Sequence, residues 1–288
     1  MGLLATPSIV RGARPRIVTI GCGVTETVFA LGRGSDVVAT DATSLHPPAA
    51  ATLPKVTFPK ALTADEVLAH RPDIVLVADE AGPRATLDAL AASGARYLRL
   101  PEAKRMSDIA DDVRRIAGAV GETAAGEALA RTLAEDLAAV EEGLAAVSTR
   151  RRALALLGAP DAYRLIAAGR GSPAAIALGF AGADNAAERI SGWSWIEPTM
   201  VHDLDPEIVV SISGSEVFSR ERILASPAVR ETAAGRDRRV AMIDEMAFTG
   251  FGPRSAHAIH AVASQIYPEA RLPPLPSRRW AEVAITAL

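Results

Sequence analysis

His257 and His260 stand three residues apart in "PRSAHAIHAVASQIYP". On a helix that spacing brings both imidazoles to one face, as metal ligands require. No carboxylate lies near them in sequence to complete a ligand set, so packing or solvent contact is expected. His70 ends a helical stretch, where an imidazole complements the negative helix end. His202 in "TMVHDLDP" is expected to start a helix, in a capping or surface role. The remaining histidine, His46 in "SLHPP", falls in a proline-rich loop. Cys22 is the single cysteine, so neither an intrachain disulfide nor a CxxC site can form.

"GCGVTE" (21–26) carries the first two glycines of a dinucleotide fingerprint but lacks the third. Asp41 is the one acidic residue that follows a second strand in a usable frame. The sequence has no GxSxG, no GK[ST] phosphate loop and no HExxH, so a nucleophile elbow, a phosphate cradle and a zinc protease have no support. No enzyme is expected. Arg170 in "AAGRGS" stands just before a helix start, where a guanidinium and free amides together suit a carboxylate. Trp193 and Trp195 in "SGWSWIEP" are two of only three tryptophans. They are read as a loop and point to one side if that loop is extended.

The elements that must position these residues alternate. "RIVTIG" (16–21) reads as a buried strand, "VTETVFALG" (24–32) as a helix stopped by Gly32, and "DVVATD" (36–41) as a second strand. Thr63 with Glu66 makes a capping-box pattern ahead of the strand "DIVLVA". "SDIADDVRRIAGAVG" (107–121) has Ser107 as its expected cap. In "ETAAGEALARTLAEDLAAVEEGLAAVS" (122–148), Leu129, Leu133, Leu137, Val140, Leu144 and Val147 form one apolar stripe on a helix of about 25 residues. Strand and helix then alternate again through "ALALLG", "SPAAIALGFAG", "EIVVSIS", "SRERILAS" with Ser219 as cap, and "RRVAMID". Such alternation predicts an α/β fold with parallel sheets.

"RPDIVLVADEAGP" (71–83) is echoed by "LDPEIVVSISGSE" (204–216). Each phrase follows a helix and runs through a buried strand into a small-residue loop. The expectation is therefore two similar lobes, 1–121 and 149–288, joined by a long helix, 122–148. The chain is long enough for two such cores at 288 residues, and its composition is that of a globular protein: 49% hydrophobic, 23% charged, 4% aromatic. A formal net charge of −3 gives no general reason to expect nucleic acid. No apolar run approaches the roughly 20 residues that span a bilayer. The start, "MGLLATPSIVRGARPRIV", lacks the pattern of a secretory signal, which fits either a cytoplasmic protein or a chain without its leader.

In order along the chain, "RIVTIGCGVTETVFALG", "LPKVTFPKALTADEVLAHRPDIVLVADEAGP", "AAGRGSPAAIALGFAGADNAA", "DPEIVV" and "FTGFGPR" resemble the substrate-binding proteins of bacterial ABC importers. The likeness is to the long-helix-linked class that includes the vitamin B12- and siderophore-binding proteins, and within it most to the haem-binding periplasmic proteins. That resemblance implies two Rossmann-like lobes joined by one long helix. It implies a monomeric periplasmic protein that holds haem in an interlobe cleft and delivers it to the transmembrane subunits of a permease. The contacts it implies come from His46, Phe58, Lys60, Ala81, Gly82, Pro83, Arg170, Trp193, Trp195, Phe248, Phe251 and Arg254. Glu80 and Glu216, which follow the two echoed strands, are the implied docking residues. The sequence departs from the family at Phe58, where these proteins normally carry an iron-ligating tyrosine. A phenyl ring has no lone pair for iron but can stack on a porphyrin. Lys60 stands where the family often has an arginine that can meet a propionate. His46 is then the candidate axial ligand, with a plain surface role as the alternative. Another tetrapyrrole, a corrinoid or an iron chelate is the alternative cargo.

Overall fold

The structure, a computed structural model, describes residues 14–157, 165–212 and 219–281. The chain divides into two compact units. One comprises the residues up to Glu102 with Ala110–Ala130, and the other Ala103–Ile109 with the residues from Arg131 onward.

The sheet of the first unit contains β1 (Ile17–Ile20), β2 (Val37–Thr40), β3 (Ile74–Val77) and β4 (Arg96–Arg99), in the order β2-β1-β3-β4 and wholly parallel. Every residue of β1 and β3 is buried; β3 is a continuous apolar run, and β1 is apolar except for Thr19, whose hydroxyl is bonded to that of Thr25. A strand covered on both faces needs that pattern, because parallel strands are linked by helices that cover the sheet. Val18, Ile20, Val75, Val77, Leu87 and Leu90 share one apolar cluster.

The second unit contains β5 (Arg152–Leu157), β6 (Leu165–Ala168), β7 (Asp184–Asn185), β8 (Trp193–Ile196), β9 (Ile208–Ser211) and β10 (Val240–Met242). The order is β10-β9-β5-β6-β8, with β7 paired to β5. β10, β9 and β5 run parallel, but β6 is antiparallel to β5 and to β8. The all-parallel expectation thus holds for the first sheet, while the second is mixed. Leu157 and Leu165 stand too close in sequence for a parallel crossover, which takes a dozen or more residues.

The echoed phrases become equivalent strands. β3 lies between β1 and β4, and β9 between β5 and β10, each with parallel neighbours on both sides. Both are entered the same way. Arg71 (φ 47°) and Asp205 (φ 38°) adopt the left-handed conformation just before Pro72 and Pro206. Each follows a helix, Ala64–Leu68 and Pro198–Leu204, whose carbonyls its amide caps. A left-handed residue satisfies the last carbonyls, and the proline after it prevents the helix from continuing.

The expected long helix spans Thr123–Leu144, 22 residues, or about 33 Å. Leu129, Leu133, Leu137 and Val140 of its stripe are buried. The helix before it, Met106–Val120, begins one residue ahead of the expected cap, Ser107. Asp108, in the first turn, accepts from the amides of Lys104 (2.9 Å) and Arg105 (3.0 Å), which precede the helix. Thr63 and Ser219 cap as expected, accepting from the amides of Glu66 and Arg222.

In the second unit, the segment after helix Ser255–Ile266 is tied back onto it. His257 Nε2 meets the Pro276 carbonyl at 2.9 Å and His260 Nε2 the Pro273 carbonyl at 2.8 Å. The two imidazoles therefore serve packing. Arg278 completes the fastening with a two-pronged ion pair to buried Asp136, at 2.9 and 2.7 Å.

Candidate functional site

The carboxyl ends of parallel strands share one edge, and the loops leaving that edge are where ligands of such folds are met. In the first unit this edge is built around Asp41, immediately after β2. Its carboxylate is fully buried. One oxygen accepts from the Gly21 amide (2.8 Å) and the Ser44 hydroxyl (2.6 Å), and the other from the amide (2.9 Å) and hydroxyl of Thr43. Thr25 links its hydroxyl to those of Thr19 and Ser44, each at 2.7 Å. Gly21 takes φ 107°, and a Cβ there would lie 2.6 Å from that of Ala78. The glycine turn thus serves to pack β1 against β3. With both oxygens of Asp41 used inside the protein, the carboxylate offers nothing to a ribose, which removes the dinucleotide reading.

The segment Pro54–Phe58 runs alongside the end of β2. Thr40 donates to Pro54 O (3.0 Å), Val56 to Thr40 O (2.9 Å) and Ala42 to Thr57 O (3.4 Å). Lys55 Nζ locks the adjoining loop by donating to Thr40 Oγ1 and to the carbonyls of Ser44 and Ala50. Partial burial lowers its pKa, against the opposing pull of Asp41. That loop carries half-buried His46 next to Leu45, which is 56% exposed.

Phe58 precedes the turn Pro59–Ala61 and Lys60 lies within it; the turn is clipped to the loop after β3. Gly82 donates to Pro59 O (2.9 Å), Leu62 to Gly82 O (3.1 Å) and Thr86 Oγ1 to Leu62 O (2.9 Å). The structure therefore brings Phe58, Lys60, Ala81, Gly82 and Pro83 together, with His46 on the next loop of the same edge. Phe58 is 62% exposed, so a large apolar ring is held open to solvent on a hydrogen-bonded frame. Glu80 lies between these groups and is only partly exposed. Burial, then the neighbouring Asp79, push its carboxyl up to about 7, against the pull of Lys60. Asp79 is raised as well, first by burial and then by Glu102. Glu80 is also one of the two expected permease-docking residues, and it stands half-buried here. Its partner in that expectation, Glu216, lies outside the described residues.

In the second unit, Trp193 and Trp195 lie on β8, an edge strand, rather than on a loop. Strand alternation sends both to one face, while Ile196 enters the core cluster with Leu165. Trp195 is 65% exposed. Arg170 is exposed and lies beside this strand's approach, donating its amide to Ile190 O (2.7 Å) and accepting from Gly192 (2.8 Å). The "FTGFGPR" residues are placed differently from expectation. Phe248 is wholly buried in helix Glu245–Thr249 and presents no ligand surface. Arg254 is buried too and paired with Asp244 at 3.4 Å, so its charge serves the fold. Phe251 is half-buried with its ring set edge-on against Phe180, centroids 5.9 Å apart. His202 falls in the last turn of its helix, near Asp203, rather than at its start. A cavity of about 550 Å³ in this unit is lined by Arg151, Glu207, Arg239, Tyr267 and Glu269. It opens at the amino ends of β5, β9 and β10 and holds none of the expected residues.

The sequence profile of the periplasmic binding protein family matches residues 17–247. The chain belongs to the periplasmic binding protein family. Members of that family are the substrate-binding components of ABC transporters and are not enzymes. An uncharacterized ABC transporter substrate-binding lipoprotein of Bacillus subtilis, YvrC, is 24% identical over 257 residues, 88% of this chain and 80% of its own. The vitamin B12-binding protein of Pectobacterium carotovorum is 30% identical over 102 residues, 35% of this chain and 37% of its own. Among solved structures, the periplasmic haem-binding protein RhuT of Roseiflexus sp. RS-1 has a TM-score of 0.76 at 26% identity, covering 90% of this chain and all of that one. A periplasmic haem-binding protein from Pseudomonas aeruginosa gives 0.74 at 29% identity over 88% and 93%.

Within this binding protein, no three His, Cys, Asp or Glu side chains among the described residues converge as a metal site. Among the same residues no helix is long and apolar enough to cross a membrane. The first-unit edge thus carries an aromatic ring at Phe58, a cation at Lys60, an imidazole at His46 and a carboxyl group at Glu80. Sequence reasoning missed Asp41 and Lys55 as the framework of this edge. An Asp followed two and three residues later by Thr43 and Ser44 directly after a strand is the signal, since such side chains fold back on the local backbone.

Proposed function

We propose that this binding protein captures haem and delivers it, as a periplasmic monomer, to the transmembrane subunits of an ABC permease. The observation that carries the reading is the Phe58 ring, 62% exposed on a loop tied by backbone hydrogen bonds to the loop after β3. A solvent-facing aromatic on a rigid ligand edge suits stacking on a planar apolar guest. Lys60 beside it supplies the cation for a propionate, and His46 the imidazole that iron accepts where Phe58 cannot donate. Exposed Trp195 and Arg170 give the second unit the same pairing of aromatic and cation. Similarity over most of the chain to proteins described as haem-binding supports this reading. Similarity to vitamin B12-binding proteins, over a shorter stretch, supports the alternative of a corrinoid.

Titration of the purified protein with haem is expected to produce a Soret band that saturates, and cobalamin is expected not to compete. Phe58→Ala is expected to weaken haem about tenfold, the loss of one stacked aromatic. His46→Ala should change the Soret position if the imidazole is axial, and an unchanged spectrum removes it as ligand. Saturable binding of cobalamin without haem binding would replace the haem reading with the corrinoid one.

A further inference from the structure

Glu80 occupies a position that stacking and iron ligation leave unexplained. The loop that carries it, Ala78–Gly82, closes on itself through Ala81 N–H to Ala78 O (3.2 Å). It is then fixed to the Lys60 turn by Gly82 N–H to Pro59 O (2.9 Å). These bonds set the Glu80 loop beside the Lys60 turn, and the charges that act on the Glu80 carboxyl are Asp79 on its own loop, Lys60 on the facing turn and Asp41 after β2. The other charges around this edge are engaged elsewhere. Arg99 donates to the Asp79 carbonyl, Arg84 is paired with Asp88 at 2.8 Å, and Lys55 is bound to loop carbonyls. Glu102 acts on Asp79. Lys60 is exposed, and its charge acts on the Glu80 carboxyl from the facing turn.

We infer that Glu80 sets the affinity of this edge for anionic cargo through Lys60. Protonated, it leaves the Lys60 charge to a carboxylate of the ligand. Ionised, it competes for that charge and repels the ligand's carboxylate. Burial and Asp79 place the exchange near neutral pH, where a modest change in acidity moves the balance. The inference rests on the haem reading only in taking the cargo to bear carboxylates, as the propionates of haem do. Glu80 acts here as a positioning residue, since its effect passes through Lys60.

The test combines a ligand-bound and a ligand-free measurement. Haem and haem dimethyl ester, which lacks free carboxylates, are titrated into wild type, E80Q and K60Q at pH 6 and pH 8. Wild type is expected to bind haem about fivefold more tightly at pH 6 than at pH 8, the lower end of common coupling factors. E80Q should bind at pH 8 as tightly as wild type does at pH 6, and K60Q and the dimethyl ester should each show no such difference. In the ligand-free protein, the Glu80 carboxyl carbon is followed by NMR. It is expected to titrate near neutrality in wild type and at higher pH in K60Q. An E80Q variant that keeps the wild-type pH dependence overturns the inference. So does a Glu80 carboxyl that titrates below pH 5 or is unmoved by K60Q. Haem that fails to saturate at either pH overturns the haem reading, and the carboxyl titration then decides the Glu80–Lys60 coupling by itself.

Discussion

At the scale of single residues, side chains that look reactive in the sequence divide by what already holds them. His257 and His260 share a helix face, as their spacing requires, but each imidazole is engaged by a backbone carbonyl. Asp41 is likewise committed to four donors around one turn. Phe58 and Glu80 are different, because the fold holds each in a state that does not favour folding. Glu80 gives this a measurable form. Its folded pKa of about 7 lies above the ordinary 4.5, so between those values the native state binds more protons than the unfolded one, and stability falls as pH rises. Below about 4.5 both states are protonated and the penalty is absent; above 7 it is complete. Glu80→Gln is therefore expected to match wild type at pH 4 and to exceed it by about 1–2 kcal/mol at pH 8, after a discount for partial exposure. Urea denaturation at the two pH values checks this, and a variant less stable at pH 8 would remove the buried-charge account.

At the scale of elements, the sequence was legible where one local rule acted alone. Thr63 and Ser219 were readable as caps because each hydroxyl stands before a helical run and bonds an amide two or three residues inside it. β1 and β3 were readable because four consecutive buried positions demand a mostly apolar run, with Thr19 of β1 the one polar exception. β8 was not, since "WSWI" between glycine and proline reads equally as an extended loop. Only pairing with β6 makes it a strand. Ser107 failed as a cap because the helix starts one residue before it and takes it into the first turn. Gly126 makes the same point energetically. Alanine is the better helix former by about 1 kcal/mol, yet a Cβ at Gly126 would lie 2.1 Å from that of Ala117 on the preceding helix. Ala117 is 1% exposed and has no room to retreat. Gly126→Ala is expected to lose about 1–3 kcal/mol net through overpacking, read as a lowered denaturation midpoint. A gain in stability would show that these helices separate readily.

At the scale of the whole molecule, distant segments are joined by charge as well as by apolar packing. Asp136 and Arg278 are 142 positions apart, and no local pattern could pair them. The Asp136 side chain is 4% exposed, so removal of its partner leaves a buried charge unmatched. Arg278→Ala is expected to destabilise the protein by roughly 2–4 kcal/mol. Adding Asp136→Asn should recover part of that loss, since the two effects are coupled. Equal losses in the single and double variants would show that the pair contributes nothing beyond packing.

The sequence by itself determined the α/β class, the two equivalent strands behind the repeated phrase and the long helix. These follow from periodicity and turn chemistry, which act within a few residues. The tertiary structure decided the mixed pairing of the second sheet, the burial of Phe248 and Arg254, and the set of charges around Glu80. Strand partners, solvent access and electrostatic neighbours depend on residues far apart in the chain. Local sequence therefore carries no record of them until the fold has brought them together.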